Sequence, residues 1–287
     1  MLWKKHFTQN FFKNKTMKFS IKNTLAILAM TSFLVSCSND DNSQIASGNG
    51  EMELYFDNSV SGDDLILGAS TYTNSNNETL KINRFNYIVS NFVLIKDDGT
   101  EVVYDKESSY FVISEEAQLN TIHLENIPAG NYTKIRFGLG VDQQRYLQGE
   151  TAQQSFWDLA DANNMTWTWS TGYRFINLEG TFTAPTLSGE KAFQVHQGSN
   201  TATDNYREIT VTLPNTARVR TTESPSVHFI ADANKILDGN AKIKLSEAMN
   251  PAGTSAAIMG GEKLISIASN TTSMFVVDHV HAGGAEH

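Results

Sequence analysis

Histidines near the end of the sequence have the spacing of a metal site. His279 and His281 lie two residues apart in the run Met274–His281, whose apolar residues are typical of a strand. Alternate residues of a strand point to one face and lie about 6–7 Å apart, so both imidazoles could reach one ion. The same alternation predicts that Phe275 and Val277 share their face. A His-x-His pair near a chain end is also often an unliganded tail, and the sequence leaves both interpretations open.

A third histidine could supply a ligand from another strand. His196 follows an apolar strand and precedes a glycine turn in the segment 193–198. It could equally be a hydrogen-bonded histidine at the rim of a sheet. Imidazole suits copper and zinc, and a nearby thioether would favour Cu(I). His123 and His228 lie within strand patterns, and we interpret both as structural histidines.

Two tryptophans are the second chemical feature of the sequence. If their segment is extended, Met165, Trp167 and Trp169 share one face. Such a pair packs in the core or at the rim of many domains, and composition alone favours that interpretation. With Tyr173 close by, the pair could equally form a platform on which sugar rings stack.

The sequence lacks the motifs of the common enzyme classes. It has no GxSxG nucleophile elbow, no HExxH zinc motif, no phosphate-binding GxxxxGK[ST] loop and no GxGxxG after a strand. We therefore expect a binding protein and not an enzyme. The formal charge of −9 at pH 7 and the pI near 5.2 argue against nucleic acid, or an anionic membrane surface, as an electrostatic partner.

Residues 1–36 are typical of a bacterial export signal. They hold six lysines and no acidic residue. Their apolar run, 25–35, is about 11 residues long, whereas a transmembrane helix needs roughly 20. The only cysteine, Cys37, follows in a context that resembles a lipobox, so we predict a cleaved signal peptide, with Met17 as an alternative start, and a lipid on Cys37. Residues 37–50 then form a flexible tether to the outer membrane, on its periplasmic or cell-surface side, and the lipid is the only expected membrane contact.

The rest of the sequence has the pattern of an all-β domain. From Glu51 onward, apolar and polar residues alternate with a period of two, as in strands. The strand patterns are short and fairly evenly spaced, with turn residues between them, as at 97–99. This predicts one domain over 51–287, an antiparallel β-sandwich with a few short helices in connecting loops. We expect a late strand at 241–245 and helices at 114–119, 152–160 and 231–237.

Five segments together resemble the MbnP-like family of copper-binding proteins. The most specific is MTWTWSTGYRFINLEG at 165–180, which carries both tryptophans. Four shorter segments also match the order of the family's motifs: RFNYIVSNF at 84–92, FGLGVD at 137–142, FQVHQG at 193–198 and MFVVDHVH at 274–281. The resemblance covers nearly all of residues 51–281.

This resemblance implies an exported β-sandwich that binds copper, as Cu(I) or Cu(II), and takes part in copper acquisition or handling. Carried over to this sequence, His196, His279 and His281 are the candidate ligands. This chain departs from the family it resembles in one respect, because many relatives have a further histidine between the last strands and this sequence has none there. If that histidine is a ligand, this chain binds copper more weakly, or Met249 or Met259 takes its place.

A protein partner is implied as well. The resemblance implies as partner a di-haem cytochrome of the bacterial peroxidase superfamily, the MbnH type, which oxidises a tryptophan of MbnP-like proteins to kynurenine. Trp167 or Trp169 is the candidate in this sequence. Kynurenine has an aniline nitrogen and a ketone, whereas the indole N–H of tryptophan donates hydrogen bonds but does not ligate. Oxidation would therefore turn a packing residue into a donor for a metal.

Each metal-binding imidazole needs a group that holds its orientation. Glu179 or Asp142 could serve as such a group. Asp278 precedes His279 in the strand, so it is predicted to face the opposite way and to be a poor partner.

An alternative function belongs to a different class of protein. A surface lipoprotein could bind a glycan or another ligand on the platform of Trp167 and Trp169. That function predicts tryptophan fluorescence that responds to glycans and ignores copper. A purely structural envelope lipoprotein, with no ligand, is the third interpretation.

Overall fold

The computed structural model describes residues 47–282. Cys37 and the predicted signal peptide lie outside the described residues, as does most of the predicted tether. The first strand begins at Asn49, so the last two residues of that tether belong to the folded domain. Within the described range, no helix is long and apolar enough to cross a membrane.

Strands dominate the described chain. In chain order they are β1 (Asn49–Val60), β2 (Asp63–Asp64), β3 (Tyr72–Thr73), β4 (Thr79–Lys96), β5 (Glu101–Val103), β6 (Tyr110–Ser114), β7 (Thr121–Pro128), β8 (Gly130–Leu139), β9 (Ile176–Thr183), β10 (Lys191–Gln197), β11 (Arg207–Val219), β12 (Ser226–Asp232), β13 (Ser255–Ile258) and β14 (Phe275–His281). The helices are short: α1 (Gln143–Tyr146), α2 (Gln154–Ala162), α3 (Asn234–Leu237) and α4 (Glu262–Asn270). Turns of 3-10 helix lie at Lys106–Ser108, Glu150–Gln153, Leu245–Glu247 and Thr271–Ser273.

The strands form two sheets. The five-stranded sheet has the order β14-β12-β1-β2, with β7 also paired to β1. The nine-stranded sheet has the order β11-β8-β4-β9-β10-β13, with β3, β5 and β6 paired to the long strand β4. The predicted all-β fold is therefore confirmed. Most pairs are antiparallel, as expected, but β1 with β12 and β10 with β13 are parallel.

One aromatic core lies between the two sheets. Phe56 of β1 stacks on Phe229 of β12, with ring centroids 4.8 Å apart. Phe137 of β8, in the other sheet, meets the ring of Phe229 edge-on at 5.7 Å. It also meets the ring of Phe275 in β14 at 5.1 Å. Because these contacts cross from sheet to sheet, the two sheets pack face to face as a sandwich.

Two local predictions are wrong. Residues 241–245 are irregular, because the buried carboxylate of Glu78 accepts hydrogen bonds from the backbone N–H groups of Leu245 and Ser246, both at 2.9 Å. Residues 114–119 form a tight turn closed by a β-bridge and not a helix. In both places hydrogen bonds that the pattern does not reveal override local propensity. The helix predicted at 152–160 is confirmed as α2, with a turn of 3-10 helix before it. The helix predicted at 231–237 forms only over its last four residues, as α3, because β12 extends to Asp232.

Truncation of Phe56 tests the core. Phe56→Ala removes a ring that is 1% exposed, and we expect the free energy of unfolding to fall by about 3–5 kcal/mol, the usual cost of such a change. Urea unfolding followed by circular dichroism measures this. Val276→Ala, at an exposed position of β14, is the control and should change that free energy by less than about 0.5 kcal/mol. Equal unfolding midpoints for the two variants would contradict the core described here.

Candidate functional site

A bulge in β14 sets the positions of the two C-terminal histidines. β14 pairs antiparallel with β12, so that His228 lies opposite His279. The next pair joins Phe229 to Val277. Asp278 is therefore an extra residue on β14, with no opposite residue on β12. An extra residue of this kind reverses the alternation of side chains along the rest of a strand.

The reversal turns both histidines away from the core. Before the bulge, Val277 packs against the core, and after the bulge Val280 does so. His279 and His281 therefore lie on the outer face of the five-stranded sheet. The prediction that Phe275 and Val277 share a face with the two histidines is wrong, because a strict period of two does not include the extra residue.

His228 of β12 joins the two histidines of β14. Its ring stacks on that of His279, with centroids 4.1 Å apart and planes at 25°. The ring of His281 stands edge-on to both, 5.1 Å from His228 and 4.4 Å from His279. We call these residues the three-histidine group. The sequence pattern sets His228 apart from the two C-terminal histidines, whereas the structure places it beside them. Its position between the core residues Val227 and Phe229 was the available signal that it faces outward.

The three-histidine group has the dimensions of a metal site. One ring nitrogen from each residue lies within 4.8 Å of the other two. Three nitrogens that bind one ion at about 2.0 Å stand about 3.3–3.5 Å apart, so small ring rotations would close the site. His228 is the most buried of the three, His279 is partly buried and His281 is exposed. The ring of His281 is therefore the least confined of the three.

A carboxylate orients one ring of the group. The Asp278 Oδ2 atom lies 2.7 Å from Nδ1 of His279. With the proton on Nδ1, His279 donates to Asp278, and its Nε2 keeps a lone pair for a metal. The prediction that Asp278 is a poor partner is wrong, because the bulge at this residue brings its carboxylate beside the adjacent imidazole.

Polar side chains of β1, β12 and β7 continue the same outer face. The Tyr55 ring lies 5.1 Å from that of His228. Along the next row, the Ser226 hydroxyl donates to the Glu53 carboxylate at 2.8 Å. The other oxygen of Glu53 lies 3.8 Å from Nδ1 of His123. His123 therefore lies on the same face as the three-histidine group. Its strand, β7, is separated from β12 by β1, so His123 is two strands away from His228.

His196 lies on the opposite face of the sandwich. In β10 its neighbours Phe193 and Val195 belong to the core between the sheets. The alternation of β10 then directs His196 to the outer face of the nine-stranded sheet. The structure therefore brings His279 and His281 together, with His228, but does not bring His196 to them. Met259 follows β13 in the same nine-stranded sheet, and Met249 bridges to β13, so neither is placed with the three histidines.

His196 is buried and is held by Glu179. Its Nε2 donates to the Glu179 carboxylate at 2.7 Å, and the other oxygen of Glu179 accepts from Arg84 at 3.0 Å. Burial lowers the pKa of His196, while the hydrogen bond from His196 lowers the pKa of Glu179, so a neutral imidazole faces an ionised carboxylate. Nδ1 of His196 is buried with no hydrogen-bond partner among the described residues. Asp142, the other expected orienting group, instead caps α1.

The tryptophans lie beside His196. The centroid of the Trp167 ring is 6.0 Å from that of His196 and 4.8 Å from that of Trp169. The Arg174 guanidinium stands 5.4 Å from the Trp167 ring. Trp169 is 63% exposed, so the two indoles differ sharply in their access to solvent. As predicted, the two tryptophans lie together, although only a single β-bridge, at Thr166, forms in their segment.

A glycine makes room for Trp167. A Cβ at Gly198 would lie 2.4 Å from the carbonyl oxygen of Tyr173 and 3.2 Å from Cζ2 of Trp167. The indole of Trp167 can therefore lie this close to the backbone that follows β10 only because residue 198 has no side chain.

Gly198→Ala should displace the Trp167 ring. We expect the free energy of unfolding to fall by about 1–3 kcal/mol, as for other overpacked sites, and the tryptophan emission to shift. Denaturant unfolding with fluorescence detection measures both effects. Gly260→Ala is the matched control, since a Cβ there meets nothing within 4 Å. If both variants behaved alike, the close contact between Trp167 and Gly198 would be refuted.

Comparisons with known proteins identify a family and a similar solved structure. No curated protein matches the sequence. The solved structure of MbnP from Methylosinus trichosporium is similar, with a TM-score of 0.45 and 13% sequence identity, over 82% of this chain and 99% of that chain. The model of the MbnP family matches residues 49–259, well over half of the chain, including both tryptophans, His196 and His228. The resemblance seen in the sequence is thereby confirmed, and this chain belongs to the MbnP family.

Proposed function

We propose that this protein binds copper in the bacterial envelope, and that His228, His279 and His281 hold the ion. The observation that carries the proposal is the three-histidine group, whose ring nitrogens lie within 4.8 Å of one another on the outer face of one sheet. Membership of the MbnP family supports copper as the metal. Asp278 supports the proposal further, because it fixes the tautomer in which Nε2 of His279 can ligate.

The donor set favours copper over other ions. Three imidazoles offer borderline nitrogen donors and no charge, which suits Cu(I) and Cu(II) and does not suit calcium or magnesium. Among divalent ions, copper binds a given nitrogen site more tightly than zinc. His281 is exposed, so an incoming donor could replace it and withdraw the ion. We therefore propose a role in copper acquisition or handling, with binding and transfer of the ion, not catalysis, as the activity.

We further propose that the protein is a lipoprotein of the outer membrane. A lipid on Cys37 would anchor the chain, and the polar residues that follow would link the lipid to β1. This part of the proposal is supported by the basic and apolar segments that precede Cys37 in the sequence.

The proposed partner is a di-haem cytochrome of the MbnH type that oxidises a tryptophan to kynurenine. Of the two candidates, Trp169 is the more accessible, at 63% exposed. Trp167 faces the Arg174 guanidinium at 5.4 Å, and a positive charge opposes the loss of an electron from a nearby ring. We therefore favour Trp169. Its oxidation would place new donor atoms near Trp167 and His196, on the other side of the sandwich from the three-histidine group.

Substitution of the histidines tests the copper site. In the tag-free full chain, His228→Ala, His279→Ala and His281→Ala should each weaken copper binding at least about tenfold, or about 1.4 kcal/mol, because each removes one of three ligands. Anaerobic Cu(I) titration against a competing chelator measures the affinity.

Two other histidines serve as controls for that titration. His123→Ala alters the same outer face, and His196→Ala alters the opposite one, so neither should change the affinity more than about twofold. Circular dichroism checks that every variant is folded. Loss of binding in the folded His196→Ala protein, with unchanged binding in the three ligand variants, would contradict the proposed site.

A further inference from the structure

A cleft opens beside the exposed tryptophan. It has a volume of about 370 Å³, and Trp167, Trp169 and Met259 form its apolar side. This volume lies in the range of pockets that bind small molecules. Trp169 keeps 63% of its surface exposed and can present its ring to a ligand in the cleft. The cleft contains no residue of the three-histidine group.

A residue with an unpaired buried acceptor lines this cleft. Asn205 lines the cleft, although only 3% of the residue is exposed. Its Nδ2 donates to the carbonyl of Gly198 at 2.8 Å, which fixes the orientation of the amide. Its Oδ1 accepts no hydrogen bond from any described residue. A buried acceptor without a donor is costly, so a ligand hydroxyl that reached Oδ1 would remove that cost.

The first turn of α4 supplies further polar groups. Gly261 precedes the helix with a φ of 75°, and no side chain caps the first turn, in which the N–H of Leu264 bonds to the carbonyl of Gly261. Gly261 and Glu262 both line the cleft, so the N-terminal end of α4 borders it. Glu262 adds an exposed carboxylate as an acceptor. The cleft thus combines an aromatic face with donors and acceptors.

The charge of the lining restricts the class of ligand. The lining residues include the carboxylate of Glu262 and no lysine, arginine or histidine, which disfavours anions. The Arg174 guanidinium already stands over the Trp167 ring, which disfavours a second cation on the same aromatic pair. A neutral ring with an apolar C–H face and hydroxyl groups at its edge satisfies both conditions.

We propose that this cleft binds a neutral sugar residue of a glycan, with Trp169 as the stacking surface and Asn205 and Glu262 as acceptors for its hydroxyl groups. Trp169, Asn205 and Glu262 belong to three separate segments of the chain, and the fold brings them together around one cleft. This function goes beyond copper binding, and removal of the three histidines would leave the cleft intact.

Three neutral disaccharides serve as probes: maltose, cellobiose and N,N′-diacetylchitobiose. The full chain is purified in a polyoxyethylene detergent, which carries no sugar, and binding is followed by saturation-transfer NMR and tryptophan fluorescence. We expect a saturable response to at least one disaccharide. Trp169→Ala and Glu262→Ala should each weaken that binding, the tryptophan variant at least about tenfold. The His279→Ala protein should bind the sugar as the unaltered chain does.

Two matched control variants distinguish an effect at the cleft from a general effect of substitution on the protein. Leu147→Ala removes an apolar side chain that is 60% exposed, close to the exposure of Trp169, and should leave sugar binding unchanged. Trp157→Phe removes a tryptophan that packs on Tyr173, outside the cleft, and should do the same. The proposal is overturned if none of the three disaccharides gives a saturable response, or if Trp169→Ala binds as tightly as the unaltered chain. Tighter binding of choline or inorganic phosphate, tested in parallel, would overturn the neutral sugar as the ligand class.

Discussion

The extra residue in β14 is the constraint on which the three-histidine group depends. A strand that continued its strict alternation from Val277 would direct His279 and His281 into the aromatic core, where imidazoles without partners are costly. The bulge at Asp278 turns both rings outward and sets His279 directly opposite His228 of β12. The same residue then supplies the carboxylate that holds His279. One insertion thus determines the direction, the partner and the tautomer of a candidate ligand.

The sandwich separates this site from the tryptophans. The core residues Phe56, Phe137 and Phe229 fill the space between the sheets, with the three-histidine group on one outer face and His196 with Trp167 on the other. A packed aromatic core is rigid, so the two faces keep fixed positions. A change at the tryptophans can therefore reach the three-histidine group only through the shared core.

The sequence predicted the fold class well because period-two alternation is a local signal, visible within β1, β4 and β10 alone. It predicted for the same reason that His279 and His281 lie side by side, and their ring centroids are 4.4 Å apart. His228 was missed because its role depends on the pairing of β12 with β14, across more than 40 residues, and on a bulge that no local pattern shows. His196 was grouped with the two C-terminal histidines on family resemblance. A sequence motif does not show on which face of its strand a side chain lies, and that face decides on which side of the sandwich the side chain is found. The buried Glu78, which keeps 241–245 from forming a strand, is another long-range contact of this kind.

The most direct test of this account is the location of the ion itself. Crystals of the copper-loaded chain, measured at wavelengths on either side of the copper absorption edge, give an anomalous difference map with one peak per bound ion. The account predicts a peak about 2 Å from a ring nitrogen of each of His228, His279 and His281. A single peak beside His196 and Trp167, with none at the three-histidine group, would contradict it.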